Sequence, residues 1–266
     1  MFVRQSILRK KLRSLALSVF YSLENDGNCD FETNGEKLFV NNAFRYFKEN
    51  VSGGAVVFDV GAHLGKYSRI ILDKSAETGC PVKLHIFEPT RSCVEVLGKM
   101  FSGSNSVALN GKAVSNVNGR ADIFYDKSQS SLASLHKRNL KAYSREMGLS
   151  EAVETVRLDN YIKENRVEHI NLLKIDVEGH EMTAFEGMGS YLDGRFVDFV
   201  QFEYGGANLD SHTSLMDFFE LFEGKGFRMA KVMPGGLEIR FYEPCMDNFQ
   251  YANYVAVSGE VMGRLI

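Results

Sequence analysis

Beyond residue 50, short apolar runs alternate along the chain with segments in which apolar residues recur every three or four positions. The apolar runs have the length of strands, and the segments between them have the periodicity of amphipathic helices. This alternation is typical of βαβ units with a mostly parallel sheet. We predict seven strands, at residues 55–60, 82–87, 106–109, 170–176, 196–203, 227–233 and 251–257. We predict helices at residues 66–78, 91–102, 137–147, 181–188 and 212–225.

One region, residues 119–165, interrupts this alternation. The stretches GRADIFYD and VETVRL each predict an additional strand, and the serine-rich stretch DKSQSSLASLH lies between them. An insertion of this kind is a candidate substrate loop, although plain surface loops are equally common. Nothing in the sequence marks a second domain. We therefore predict one domain over residues 51–266, preceded by an N-terminal helical extension over residues 1–50.

The first 24 residues predict a basic, amphipathic helix. Apolar residues recur at helical spacing, at Leu8, Leu12, Leu15, Val19 and Leu23. Five cations precede the first acid, Glu24: Arg4, Arg9, Lys10, Lys11 and Arg13. The pattern favours a helix that packs on the domain or on a second copy of the chain, as in a homo-oligomer. The alternatives are peripheral contact of residues 1–24 with an anionic membrane surface, and a secretory signal, although no small-x-small cleavage site follows.

Composition narrows the class of protein. A chain of 266 residues with 44% hydrophobic and 24% charged residues fits one large α/β domain. Its net charge of -3 provides no general attraction for nucleic acid, so we expect no nucleic-acid partner. The four cysteines are scattered without a C-x-x-C pair, which indicates neither a disulfide framework nor a zinc site and favours a reducing, cytoplasmic compartment. No apolar stretch approaches the roughly 18 residues of a membrane span.

The stretch VVFDVGAHLG, residues 56–65, predicts a ligand site at the end of the first strand. Gly61 and Gly65 allow the backbone to approach a ligand closely and to turn into a helix. A dinucleotide site prefers three glycines, G-x-G-x-x-G, and the middle glycine is missing here. Asp59 would also repel a pyrophosphate. The turn therefore favours a ligand with a sulfonium or ammonium group.

The second strand ends in HIFEPT, which places Glu88 at the next carboxyl edge. An acid at this position can accept hydrogen bonds from both ribose hydroxyls of a nucleoside. Two acids on adjacent strand ends, beside a glycine turn, fit a positively charged nucleoside. S-adenosylmethionine is a positively charged nucleoside of this kind.

Five stretches in this order, DVGAHLG, IFEP, NGKAVSNVNG, VRLDNYI and LLKIDVEGHEMTAFEGM, strongly resemble the FkbM family of S-adenosylmethionine-dependent methyltransferases. The resemblance covers roughly residues 55–205, and LKIDVEGHE is its most specific element. It implies a class I methyltransferase fold: a Rossmann-like, seven-stranded, mostly parallel sheet with helices on both faces and an antiparallel last strand. It also implies methylation usually of an oxygen, often of a sugar hydroxyl.

The resemblance assigns residues to the two ends of the cofactor. The glycine turn would hold the methionine end, through Asp59, Gly61, His63 and Gly65. Glu88 would hold the ribose. The segment from Asn110 to Ser115 would lie against the adenine.

The stretch INLLKIDVEGHE predicts the site of chemistry. In extended geometry Asp176 and Glu178 point to the same side at the open end of their strand, and Glu203 could join them from the neighbouring strand. We expect Asp176 beside the methionine moiety or the acceptor hydroxyl, with His180 or Glu178 as base. A divalent cation held by these carboxylates is an alternative arrangement; the interpretation we adopt contains no metal.

Two regions supply candidate residues for the acceptor pocket. These are the serine-rich loop, with Ser131 and His136, and the segment YGGANLDSH, with Tyr204 and His212. Glu203, at the end of the strand before that segment, is a further candidate. We expect a cytoplasmic O-methyltransferase, at the inner membrane face if the basic helix contacts lipid, that acts on a carbohydrate or glycolipid acceptor. A nicotinamide-dependent oxidoreductase and a non-catalytic nucleoside-binding module are the alternatives.

Overall fold

The computed structural model describes residues 6–141 and 144–265. The strands are β1 (Ala55–Val60), β2 (Val82–Phe87), β3 (Val107–Asn110), β4 (Ala113–Val114), β5 (Gly119–Tyr125), β6 (Leu149–Val156), β7 (Ile170–Ile175), β8 (Val197–Tyr204), β9 (Phe227–Met233), β10 (Gly236–Ile239) and β11 (Ala252–Ser258). The α-helices are α1 (Ile7–Glu24), α2 (Glu36–Asn50), α3 (Lys66–Thr78), α4 (Arg91–Met100), α5 (Leu158–Glu164), α6 (Glu181–Glu186), α7 (Gly206–Ser211), α8 (Leu215–Glu223) and α9 (Gly259–Leu265).

The main sheet has eight strands in the order β10-β9-β11-β8-β7-β1-β2-β3. Strands β8, β7, β1, β2 and β3 pair in parallel, and β11 runs antiparallel to both β8 and β9. The seven predicted strands and the antiparallel last strand are therefore confirmed. The eighth, β10, was not predicted because its four residues form a half-exposed edge hairpin with β9 and lack an apolar run.

Helices cover both faces of this sheet and produce two apolar clusters. Strand β1 shows the reason, since Phe58 packs into one cluster and Val57 into the other, and neither is exposed. A strand buried on both faces reads as a continuous apolar run, which is why β1 was predictable. Helix α2 packs Phe44 and Phe47 into the same core as α3. The predicted boundary at residue 50 thus falls between two elements that share one core.

The insertion forms a second, three-stranded sheet in the order β4-β6-β5. Both additional predicted strands are present, and β5 pairs antiparallel with β6. The predicted helix at residues 137–147 is wrong: residues 137–140 and 144–147 contain no α-helix, and residues 142 and 143 lie outside the described part of the chain. Tertiary contacts override helix propensity here, because Arg138 reaches Glu178 and Asp210. The predicted helix at residues 212–225 is present as α8, which Ser214 caps, whereas α7 precedes the predicted range and was not predicted.

Helix α1 confirms the predicted N-terminal helix, although Arg4 lies outside the described residues. The expectation that the apolar face of this helix packs on the domain is wrong, since none of the helix residues is buried. Packing on a second copy of the chain stays a prediction. Within the described residues, no helix is both long enough and apolar enough to cross a membrane.

Candidate functional site

A cavity of about 770 Å³ opens at the carboxyl edge of the main sheet. Its floor is formed by the ends of four neighbouring strands, β1, β2, β7 and β8. These ends contribute Gly61, Glu88, Asp176 and Glu203 to the wall. The carboxyl edge of a parallel sheet is the usual ligand site of open α/β folds.

The glycine turn brings the ends of β1 and β7 together. Gly61 has a φ of +84°, and a Cβ at this position would lie 1.8 Å from the carbonyl oxygen of Asp176. The amide of Asp176 donates to the Val60 carbonyl at 2.9 Å, which fixes the two strand ends. Gly65 has a φ of +78° at the start of α3, and a Cβ there would meet the Leu97 side chain at 2.6 Å. Gly65 therefore packs against α4 and does not line the cavity, which corrects its assignment as a cofactor contact.

We predict that Gly61→Ala destabilises the domain much more than Gly53→Ala. Gly53 also has a φ of +84°, but no atom lies within 4 Å of its virtual Cβ. Both substitutions place alanine in the left-handed region, at a cost of about 1–3 kcal/mol. Only Gly61→Ala also forces β1 away from β7, which should cost at least about 2 kcal/mol more. Urea unfolding of the two variants measures this difference, and equal free energies of unfolding would contradict the close approach.

Asp59 lies below the cavity and not on its wall. Its side chain is fully buried, and its Oδ2 accepts a hydrogen bond from Ser68 Oγ at 2.6 Å. Burial raises the pKa of Asp59, and the Lys174 ammonium opposes this shift. This placement corrects the expectation that the Asp59 side chain contacts the cofactor directly.

Glu88 is held in one orientation at the end of β2. Its Oε2 accepts from the His63 amide at 2.9 Å, and its Oε1 accepts from the Thr90 amide at 2.9 Å. Burial raises the pKa of Glu88, and the hydrogen bonds from Thr90 and His63 oppose this shift. Both Glu88 and His63 line the cavity. A carboxylate fixed in this way can still accept hydroxyl donors through its remaining lone pairs.

The segment after β3 reaches the cavity through other residues than those predicted. Lys112, Ala113 and Val114 line the wall. The Asn110 amide instead donates to the Ile86 carbonyl at 3.0 Å and to Tyr161 Oη at 3.2 Å. Its side chain therefore bonds to the sheet and does not line the cavity, which corrects its assignment.

Three carboxylates meet at the wall formed by β7 and β8. Oxygen atoms of Asp176, Glu178 and Glu203 lie within 4.8 Å of one another. Glu178 has a φ of +54°, so the chain makes a tight turn that brings Glu178 close to Asp176. The sequence had suggested an extended strand end instead. Hard divalent cations take several carboxylate oxygens, so this cluster could hold either a metal ion or a cationic ligand.

The three carboxylates differ in their partners. Asp176 Oδ2 accepts from Lys174 Nζ at 2.8 Å, and Glu178 forms an ion pair with Arg138. Within residues 6–141 and 144–265, Glu203 has no hydrogen-bond donor on its carboxylate. Burial and the neighbouring Asp176 raise the pKa of both Glu178 and Glu203. A cationic ligand would lower both pKa values again, since it favours the ionised forms.

His180 is the central member of a short chain of hydrogen bonds. Its Nε2 contacts Ser115 Oγ at 3.0 Å, and its Nδ1 contacts His136 Nε2 at 3.2 Å. Burial, with a smaller contribution from His136, lowers the pKa of His180 to about 4, so the ring is neutral at pH 7. His180 lines the cavity, whereas Ser115 and His136 lie behind it. The structure thus corrects the expectation that Ser115 contacts adenine and that His136 faces the acceptor.

The insertion forms the outer wall of the cavity. Ser131 lines the wall and is exposed. Ser134 Oγ donates to the Glu178 carbonyl at 2.7 Å, and His63 Nε2 contacts the Gln129 carbonyl at 2.9 Å. These contacts join the insertion to the glycine turn and to the carboxylate cluster.

Some wall residues were not predicted from the sequence. They are Arg138 and Arg145 from the insertion, Cys29 from the segment before α2, and Tyr251 before β11. The sequence contains no local signal for Cys29, Arg138 and Arg145, because they lie in segments distant along the chain from the four strand ends. Tyr251 reaches the same edge because β11 runs antiparallel to β8.

Two of the predicted acceptor residues do not reach the cavity. Tyr204 is buried on the other side of β8, and its Oη donates to Asp247 at 2.8 Å. His212 is an exposed residue that ends α7 with a φ of +56°. The same segment contributes Gly206 and Ala207 to the wall instead. These placements correct the assignments of Tyr204 and His212.

Comparisons with known proteins point to one family. A family model described as the methyltransferase FkbM domain matches residues 59–229. No curated protein matches the chain. The range 59–229 contains the four strand ends that form the cavity floor.

The chain is also similar to solved structures. The putative rRNA-methylase from Clostridium thermocellum has a TM-score of 0.44 and 10% identity, over 82% of this chain and 94% of that one. The plantazolicin methyltransferase BpumL in complex with SAH has a TM-score of 0.45 and 8% identity, over 87% and 86%. The 1,6-didemethyltoxoflavin-N1-methyltransferase from Burkholderia thailandensis has a TM-score of 0.39 and 13% identity, over 97% and 93%.

Proposed function

Because this chain belongs to the FkbM methyltransferase family, we propose that it transfers a methyl group from S-adenosylmethionine to a hydroxyl of a carbohydrate. The acceptor would be a sugar of a surface polysaccharide or a glycolipid. The observation that carries this proposal is the arrangement of carboxylates in the cavity. Glu88 is held in one orientation at the end of β2, and a cluster of three carboxylates lies at the ends of β7 and β8. The match to a methyltransferase family also disfavours the alternative function, a nicotinamide-dependent oxidoreductase.

The residues present fit the two ends of the cofactor. Glu88, oriented by His63 and Thr90, would accept the ribose hydroxyls. The carboxylate cluster would attract a sulfonium and an ammonium group. The 770 Å³ cavity is large enough for a ligand of this class together with part of an acceptor, since typical ligand sites measure about 300–1,000 Å³. When bound, S-adenosylmethionine supplies the methyl group on a positively charged sulfur.

The adenine would lie against the wall formed by Lys112, Ala113 and Val114. The last two residues offer apolar contact, and both are buried in the free protein. The amide of Gly61 is already used, because it donates to the Phe87 carbonyl at 2.9 Å. Gly61 therefore shapes the turn and leaves the methionine end to Asp176 and His63.

A hydroxyl acceptor requires a base, because its proton must leave as the bond from oxygen to the methyl carbon forms. Glu203 is the best placed base, since no described residue donates to its carboxylate and since it lines the cavity. Glu203 would accept the proton of the acceptor hydroxyl as its oxygen takes the methyl group that bound S-adenosylmethionine supplies, with the demethylated thioether as the leaving group. Glu178, oriented by Arg138, and the neutral ring of His180 would hold the acceptor in line.

The outer wall suits a polar acceptor. Ser131 offers an exposed hydroxyl, Arg145 offers donors, and Tyr251 offers an aromatic face for stacking on a sugar ring. The free cysteines of the chain fit a reducing compartment, so the proposal places the reaction in the cytoplasm.

The test is transfer of labelled methyl groups from S-adenosylmethionine into extracts of the native host, fractionated into glycan, protein and nucleic acid. We expect label in the glycan fraction, released as methoxy sugars on hydrolysis. Label confined to protein or nucleic acid would overturn the acceptor class. Calorimetric binding of the cofactor without any label transfer, in all fractions, would instead favour the non-catalytic nucleoside-binding module.

A further inference from the structure

Helix α1 leaves an apolar face without a partner. The helix spans 18 residues and contains no buried residue. Its large apolar residues are exposed: Ile7, Leu8, Leu12, Leu15, Leu17, Val19, Phe20 and Leu23. Soluble proteins seldom expose a contiguous apolar surface of this kind unless it binds something.

Five of the eight exposed apolar residues share one side of the helix, and cations flank them. At about 100° per residue, Leu8, Leu12, Leu15, Val19 and Leu23 fall on one arc of about 80°. On the same helical projection, Lys11 borders this arc on one side, and Arg9 and Arg13 border it on the other. An apolar arc between cations is the arrangement of helices that lie in the interface of an anionic membrane.

The charge of the helix selects the occupant of its apolar face. Residues 7–24 contain four Lys or Arg and one Glu, which gives the helix a net charge of +3. The whole chain has a net charge of -3, so the remaining residues carry a net charge of -6. A second copy of α1 on this face would bring two sets of cations together, which disfavours self-association. We propose that α1 docks the protein on an anionic lipid surface. The acidic body is repelled by the same surface, so the helix faces the lipid.

The base of the helix is fixed to the domain beside the cavity. Lys231 Nζ, almost fully buried, contacts Asp26 at 2.6 Å and Glu24 at 3.2 Å. The Asn25 amide donates to the Val232 carbonyl at 3.1 Å. The Gly27 amide donates to the carbonyl of Tyr251 at 2.8 Å, and Tyr251 lines the cavity. A helix lying on the lipid would therefore hold the cavity close to the membrane.

A second apolar element lies next to this base. Arg240 Nη2 contacts Glu24 at 3.1 Å, and the adjacent Phe241 is 72% exposed. Ile239, on the other side of Arg240, is also exposed. The edge of the sheet at β10 thus exposes two further apolar side chains near the base of α1.

Binding to vesicles tests the proposal without any use of methyl transfer, so its outcome is independent of the proposed function. The chain contains no tryptophan, and Leu15→Trp therefore introduces a single reporter on the apolar face. We expect this variant to sediment with vesicles of phosphatidylcholine and phosphatidylglycerol, with its emission shifted to shorter wavelength. Vesicles of phosphatidylcholine alone should leave the protein in the supernatant.

Variants of the full chain separate the two contributions. Lys11→Gln with Arg13→Gln should lower the partition coefficient about 30-fold, since each cation near an anionic surface contributes about fivefold. Leu12→Ser with Leu15→Ser should abolish binding, and both positions are exposed, so the fold is kept. The matched control, Lys83→Gln with Lys99→Gln, alters two exposed cations outside α1 and should bind as the wild type does.

Two outcomes would overturn the proposal. The first is the absence of sedimentation and of any emission shift with the anionic vesicles. The second is a wild-type dimer in light scattering that dissociates in the Leu12→Ser, Leu15→Ser variant, because a second copy would then cover this face.

Discussion

Replacing Glu203 with glutamine is expected to lower kcat by about 10²–10⁴-fold, the usual contribution of a general base. The glutamine amide keeps the shape of the side chain but cannot accept the proton of the acceptor hydroxyl. Affinity for S-adenosylmethionine should change little, because Asp176 and Glu178 remain at the cavity wall. Steady-state methyl transfer and calorimetry measure the two quantities separately.

The pH dependence of the same variant provides an independent test. Burial and Asp176 raise the pKa of Glu203. A base must be deprotonated to act, so wild-type kcat/KM should fall as the pH decreases through this raised pKa. The low residual activity of Glu203→Gln should lack this decrease. Glu220→Gln, at an exposed position on α8, serves as the matched control. Wild-type kcat in Glu203→Gln would assign the base elsewhere.

Replacing Glu88 with glutamine is expected to weaken binding of S-adenosylmethionine and of its demethylated product by about 10- to 100-fold. Each hydrogen bond to a charged acceptor contributes about 1.5–3 kcal/mol, and the variant loses at least one such acceptor for the ribose. Glutamine keeps one oxygen for the His63 amide, so the glycine turn should keep its structure. Calorimetric titration of both ligands measures the effect.

A cofactor analogue without ribose hydroxyls separates direct contact from indirect disturbance. If Glu88 contacts the ribose, a 2′,3′-dideoxy analogue of the demethylated product should bind wild type and Glu88→Gln with similar affinity. Equal weakening of the natural product and of the analogue by the substitution would show that Glu88 acts only by holding His63 and Thr90.

The sequence alone predicted the sheet and the edge at which the cavity opens. Strands such as β1 and β2 are buried on both faces, so each appears as an apolar run that ends in turn residues. Their bounds were predicted at residues 55–60 and 82–87, as observed. Because parallel strands place their carboxyl ends at one edge, the positions of Glu88, Asp176 and Glu203 followed from the strand ends.

Other parts of the site depended on contacts between segments that are distant in sequence. Arg138 lies in a stretch with helix-forming composition, but its ion pair with Glu178, forty residues further on, accompanies an irregular conformation. Asparagine is a common turn residue, yet the side-chain amide of Asn110 donates a hydrogen bond to the sheet. No local pattern encodes such pairings, because they form only when the strand order is fixed.

The sequence thus determined at which edge of the sheet the cavity opens, since the period and the burial of strands are local properties. The tertiary structure decided which side chains at that edge enter the cavity. Glu203 and Tyr204 are neighbours in β8, but successive residues of a strand face opposite sides, so the first lines the cavity and the second bonds to Asp247. Which side faces the cavity depends on the helices and the insertion packed around the sheet, and these are set by the whole fold.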